Sequence, residues 1–163
     1  MSVLNSPTLN SPKVGCVIRE SCAVKDMIES SRAAEPVGRY AHARRVGNLL
    51  FLAGVGPRVR GSQEIPGVEL GPSGEILSHD IEAQCHSAFR NVRLILEDAG
   101  VSWGNIVDVT VFLTHMKTDF QRFNRIYADY FKENPPCRTT VGVSALPSPI
   151  AIELKVIATV GKE

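Results

Sequence analysis

The feature that most constrains the fold is the period-two alternation of Ile150–Val160. Ile150, Ile152, Leu154, Val156, Ala158 and Val160 share one face, and Ala151, Glu153, Lys155, Ile157 and Thr159 share the other. That period belongs to a strand in a sheet with at least one buried face. Ile106–Leu113 alternates in the same way through Val107, Val109, Val111 and Leu113. Two other segments carry helical spacing. Ile81, Cys85, Ala88, Phe89, Val92, Ile95 and Leu96 predict a helix from about Asp80 to Ala99. Ser78 or Asp80 caps its start, and Gly100 stands where a C′ glycine ends a helix. Phe120, Phe123, Tyr127, Tyr130 and Phe131 predict a second helix, from Thr118 or Asp119 to about Glu133. Asn134-Pro135-Pro136 stops it.

The remaining segments complete the order. Gly38–Val46 and Asn48–Ala53 meet at the turn pair Gly47-Asn48 and read as a hairpin. Gly54–Leu77 holds six glycines and three prolines, so it reads as a long loop, a kind that is usually functional. Arg138–Val143 reads as a short strand, joined to Ile150–Val160 by Ser144–Pro149. Strand, strand, helix, strand, helix, strand, strand is an α+β sheet with two helices on one face. The other face is expected to be apolar and to drive oligomerisation. Residues 1–34 repeat the turn-like tripeptide Asn5-Ser6-Pro7 as Asn10-Ser11-Pro12 and show no sustained period. They read as an N-terminal extension to a domain spanning 35–163, with an ordinary first strand and helix as the alternative.

Composition removes several classes. A net charge of +1 gives no electrostatic case for nucleic acid or an anionic membrane. No apolar run approaches the ~20 residues of a membrane span, and no signal-peptide pattern opens the chain. Cys16, Cys22, Cys85 and Cys137 form no CxxC pair, which argues against a zinc site or disulfide framework and for a reducing cytoplasm. His42, His79, His86 and His115 have no ligand spacing. Gly54-Val55-Gly56 precedes no helix, so it is no dinucleotide loop.

Two charged residues draw notice. Glu153 sits between Ile152 and Leu154, where a carboxylate is costly unless partnered. Arg138 opens the preceding strand. If the two strands form a hairpin, Arg138 lies opposite Lys155 and Glu153 is its diagonal neighbour, ~7–8 Å away at Cβ. Taken alone, a structural ion pair or an edge carboxylate facing water is the favoured reading of this pair.

Asn134-Pro135-Pro136-Cys137-Arg138-Thr139-Thr140-Val141-Gly142-Val143, then Leu146-Pro147 and Ile150-Ala151-Ile152-Glu153-Leu154, resembles the C-terminal signature of the RidA/YjgF family, the reactive-intermediate (enamine/imine) deaminases. The helix around Phe120–Phe131, the strand Asp108–Leu113, Asn91-Val92 with Ala99-Gly100, and Leu52-Ala53-Gly54 are similar to the family's elements in order and spacing. The resemblance covers roughly residues 36–160. It implies a chorismate-mutase-like mixed sheet with two helices on one face. It also implies a homotrimer whose sheets form a central barrel, with sites between subunits and the pairing of trimers into hexamers left open.

By position, Arg138 matches the arginine that grips the substrate carboxylate, and Glu153 the acid that holds the hydrolytic water. Tyr40 matches an active-site tyrosine, Asn124 a pocket asparagine, and Gly54 a glycine whose amide faces the ligand. Thr140 stands where many members have cysteine, and Ala53 where many have serine. The implied chemistry needs no cofactor and no metal. The 56–61 and 66–68 stretches, Asp80–His86 and Ser102-Trp103 are similar to one branch, the 2-aminomuconate deaminases. That substrate is an enamine dicarboxylate, hydrolysed to 4-oxalocrotonate and ammonia. Its second carboxylate calls for a further cation: Arg58 and Arg60 are the candidates, and Arg44 and Arg45 the reserves. The competing expectations are a broad 2-iminoacid deaminase and a non-catalytic trimer that binds small carboxylates or acts as a chaperone-like or regulatory partner. Retention of both Arg138 and Glu153 favours an enzyme over a binder.

Overall fold

The computed structural model describes residues 26–161. In chain order the elements are β1 (Met27–Ile28), β2 (Ala43–Val46), β3 (Leu49–Leu52), β4 (Val68–Leu70), β5 (Ile76–His79), α1 (Ile81–Asp98), β6 (Ile106–Leu113), α2 (Met116–Tyr130), β7 (Cys137–Gly142) and β8 (Ile152–Thr159). Six strands form one sheet in the order β1-β2-β3-β8-β6-β7, and β4 and β5 pair by themselves. β6 and β7 run parallel, joined through α2, because parallel neighbours need a crossover connection. β8 enters antiparallel between β3 and β6.

Both helices cover one face, and burial explains their sequences. All seven residues on the expected stripe of α1 are buried, from Ile81 to Leu96. Asp80 caps α1 by accepting from the Glu82 N–H at 2.9 Å. At the other end Gly100 has φ +70°, which lets Val101 N–H reach Leu96 O at 2.8 Å and close the last turn. α2 begins at Met116, two residues before the expected cap, and buries Phe123, Ile126 and Tyr127. Against them pack Val109, Val111 and Leu113 of β6 with Ile152, Leu154, Val156 and Ala158 of β8. None of these seven is more than 1% exposed, so the two alternating segments are the core's floor.

The structure departs from expectation in four places. The first strand is four residues, Ala43–Val46, so Tyr40 and His42 lie before it rather than on it. The long loop contains the small β4–β5 hairpin. The open sheet face is mixed, not apolar: Phe51, Phe112 and Ile157 alternate with Arg44, Asp108, Thr110, Glu153 and Lys155. Finally, β7 and β8 are not a hairpin, since β6 lies between them.

Part of the segment read as an extension packs on the domain. Met27–Ile28 pairs with β2, and Ala33 is buried. Ser30 Oγ donates to Asp98 Oδ2 at 2.6 Å, and Arg32 Nε and Nη2 donate to Asp98 Oδ1 at 2.8 and 2.6 Å. These contacts hold the Asp98 carboxyl below its ordinary pKa, the Arg32 bond first. The Asn-Ser-Pro repeat, Cys16 and Cys22 lie outside the described residues. Among the described residues no helix is long and apolar enough to cross a membrane.

Candidate active site

Strand β8 carries Glu153 onto the open face while its neighbours Ile152 and Leu154 point into the core. Among the described residues no group donates to its carboxylate, and burial raises its pKa. Gly54, two residues past β3, makes room for it. A Cβ at position 54 would stand 2.5 Å from Glu153 Oε1 and 2.8 Å from Cδ, so only glycine leaves this rotamer free. The two residues share a cleft of about 300 Å³ with Tyr40, Arg58, Val37 and Pro147. The Tyr40 hydroxyl accepts from Val37 N–H at 3.2 Å, tying together two residues of the cleft lining. Arg58 donates through Nη2 to Glu35 O and keeps its remaining donors.

The loop bearing Arg58 is held from below. Asn91 of α1 donates through Nδ2 to Gly56 O at 2.9 Å and to Arg58 O at 2.7 Å. Ser87, one turn earlier, donates to Pro57 O at 2.6 Å. Gln84, fully buried, accepts from Ala151 N–H at 2.8 Å just ahead of β8. These positioning residues escaped the sequence reading. The available signal was a polar residue on an otherwise apolar helical stripe, which buried loop carbonyls require as a donor.

Arg60 lies apart from this cleft. Its Nη1 donates to Ala33 O at 3.0 Å and its Nε stands 3.5 Å from Glu35 Oε1. Arg44 is exposed on β2, and Arg45 Nε donates to Gly47 O. His42 is structural: Nδ1 accepts from Ser30 N–H at 3.1 Å and Nε2 lies 3.0 Å from Ala34 O, so both ring nitrogens are used.

Arg138 stands elsewhere, on the helix side of β7. Its guanidinium lies 4.5 Å from the Tyr127 ring centroid and 5.6 Å from that of Phe123. Such stacking orients a guanidinium while leaving its edge free to bind. Thr140 follows two residues later on the same face, its Oγ1 buried without a partner among the described residues. Asn124 is exposed on α2 beside Phe123. Burial lifts the Tyr127 hydroxyl to about 12.

The expected diagonal contact between Arg138 and Glu153 is therefore corrected. Arg138 aligns with Val109 and Val156, whereas Glu153 aligns with Phe112 and Val141. They stand two strands and three residues apart, on opposite sheet faces. One chain thus keeps these residues apart: Tyr40, Gly54, Arg58 and Glu153 in the cleft, Arg138 and Thr140 on the helix face of β7, and Asn124 exposed on α2.

Residues 30–160 match the family model described as Endoribonuclease L-PSP. A RutC family protein of Pyrococcus abyssi is 38% identical over 135 residues, 82% of this chain and 96% of that protein. Reactive Intermediate Deaminase A of Arabidopsis thaliana (chloroplastic) is 29% identical over 160 residues, 98% of this chain and 79% of that protein. Among solved structures, E. coli TdcF with bound serine is 31% identical with a TM-score of 0.70, covering 83% of this chain and 98% of that one. The YjgF gene product of E. coli gives 30% and 0.69, covering 82% and 97%. The sheet with two helices on one face is the fold of these structures, and the chain belongs to the Endoribonuclease L-PSP family, that of the RutC and RidA/YjgF proteins.

Proposed function

We propose that this chain is a hydrolytic deaminase of enamine and imine carboxylates, with 2-aminomuconate as substrate. The observation that carries the reading is Glu153: a carboxylate of raised pKa without a partner among the described residues, given its space by Gly54, in a cleft with Arg58. A fold does not evolve such a group for stability, because an unpartnered carboxylate costs free energy in a partly buried site.

The site is completed between subunits of a homotrimer. Asn124, Arg138 and Thr140 of one chain meet the cleft of the next, which resolves their separation within one chain. Arg138 grips the C1 carboxylate as a two-pronged donor beside the reacting carbon. The enamine takes a proton at carbon to become the imine. Glu153 removes a proton from water as the oxygen bonds to C2. The same carboxyl gives that proton to nitrogen, completing the carbinolamine; it then carries the hydroxyl proton to nitrogen as the C–N bond breaks and the C=O forms, and ammonia leaves the 2-oxo acid. Acid–base assistance of this kind contributes ~10²–10⁴ in rate. Arg58 binds the distal carboxylate, and Arg60 is assigned to holding Glu35 instead.

A second reading, turnover of short 2-imino acids, draws on the Arabidopsis relative's name and on the serine held by TdcF. Freshly generated 2-aminomuconate and a short 2-imino acid separate the two, by ammonia release and absorbance decay. Fast dicarboxylate turnover, lost in Arg138→Ala and selectively weakened in Arg58→Ala, supports the first. Turnover of the short imine alone supports the second. No turnover of either would overturn both and leave a carboxylate-binding protein.

A further inference from the structure

The four histidines show no ligand spacing along the chain, yet folding gathers two of them around a carboxylate. His79 ends β5, His115 lies in the link between β6 and α2, and Asp119 is in the first turn of α2. One ligand atom from each lies within 4.8 Å of the other two. His79 Nε2 is 2.7 Å from Asp119 Oδ2, and the two imidazole rings are 4.6 Å apart. Asp119 is only 6% exposed, whereas His115 is open to solvent.

We propose that His79, His115 and Asp119 form a binding site for a divalent transition-metal ion, zinc fitting best. Two imidazoles and one carboxylate suit a borderline ion that prefers nitrogen-rich tetrahedral surroundings. Magnesium and calcium ask for six or more oxygens, which this cluster does not offer. Outer partners are already present. Thr118 Oγ1 donates to Asp119 Oδ1 at 3.0 Å, leaving Oδ2 for the ion. Thr114 Oγ1 lies 2.8 Å from His115 Nδ1, so a proton on Nδ1 directs Nε2 outward as the ligand.

Bonds of about 2.0–2.2 Å put tetrahedral ligand atoms roughly 3.3 Å apart. The cluster therefore has to draw in by up to about 1.5 Å at His115, whose ring is exposed, and open slightly between His79 and Asp119. There the ion takes the place of the His79–Asp119 hydrogen bond, with His79 ligating through Nε2 and carrying its ring proton on Nδ1. Water takes the fourth position. The ion would tie the β4–β5 hairpin to the start of α2. None of its three ligands lines the cleft of Glu153, so the site is independent of the proposed deamination.

Cobalt(II) is the probe, because tetrahedral cobalt absorbs in the visible. Tag-free full-length protein is stripped with chelator, dialysed and titrated. The expected result is one cobalt per chain, displaced by zinc, which binds such donors more tightly. His115→Ala, an exposed change that spares the fold, should weaken binding at least tenfold, and His79→Gln should act alike. His86→Ala and Cys137→Ser should leave the titration unchanged. Affinity unaltered in the His79→Gln/His115→Ala double variant, or no saturable visible band, would overturn the site and leave a hydrogen-bonded His–Asp pair.

Discussion

Gly54→Ala isolates the coupling between the cleft's backbone and its carboxylate. Gly54 does not have a positive φ, so the new methyl strains no backbone. Its whole effect falls on Glu153, whose Oε1 and Cδ would be 2.5 and 2.8 Å from the added carbon. Ordinary contacts run at about 3.5–4.0 Å, so the carboxyl must retreat by roughly 1 Å. A flexible side chain does this at about 0.5–1.5 kcal/mol, lowering Tm by less than about 6 °C in a chain of this size. Catalysis is far more sensitive, because a misplacement of about 1 Å costs on the order of 10² in rate. Steady-state ammonia release should therefore fall about 100-fold while Tm falls by less than about 6 °C. The double variant Gly54→Ala/Glu153→Gln should be no slower than Glu153→Gln alone, since both changes remove one function. A Gly54→Ala enzyme within threefold of wild type would refute this reasoning. So would losses that multiply in the double variant.

Three further outcomes follow from the same geometry. Asn91→Ala removes two hydrogen bonds to loop carbonyls, so Tm should fall by about 4–8 °C for about 2 kcal/mol, and KM for the dicarboxylate should rise as Arg58 loosens; an unchanged melting curve contradicts this. Tyr127→Phe keeps the ring beneath Arg138 and discards a hydroxyl with no partner among the described residues, so kinetics and stability should be near wild type; Tyr127→Leu should raise KM about fivefold, for roughly 1 kcal/mol of lost stacking, and equal KM values would count against it. Glu153→Gln should abolish turnover yet stabilise the fold at neutral pH. The folded carboxyl has the higher pKa, so its penalty is absent below the unfolded value and grows as pH rises to the folded one. Melting curves should coincide near pH 4 and separate by pH 7, the variant higher; the reverse order would remove the unpartnered carboxylate from the account.

Much of the fold was legible because local period and burial agree. Ile106–Leu113 alternates as a strand and is one, and every residue expected on the α1 stripe is buried. Gly100 ends α1 where a left-handed C′ residue is needed. What misled was adjacency. Two strands joined by Ser144–Pro149 look like a hairpin, yet β6 inserts between them. The order strand, helix, strand over β6, α2 and β7 already carried the parallel pairing, because that unit crosses over and returns beside its first strand. The error moved Arg138 to the wrong sheet face relative to Glu153. The cleft's supports were harder to read. Asn91 and Ser87 act on carbonyls more than thirty residues away, or thirty for Ser87, and nothing local marks that contact. The histidine cluster shares that difficulty, its members spread over two strand ends and a helix.

The central claim is that Arg138 and Glu153 of different chains complete one site. Subunit complementation tests it most directly. Arg138→Ala and Glu153→Gln chains are co-expressed in equal amounts with different tags, and the mixed assembly is purified. Each variant alone should be inactive. Every mixed trimer joins an intact Arg138 to an intact Glu153 at one of its three shared sites, so about a third of wild-type turnover should return. Turnover no greater than that of the separate variants would contradict the shared site and place both residues' action within a single chain.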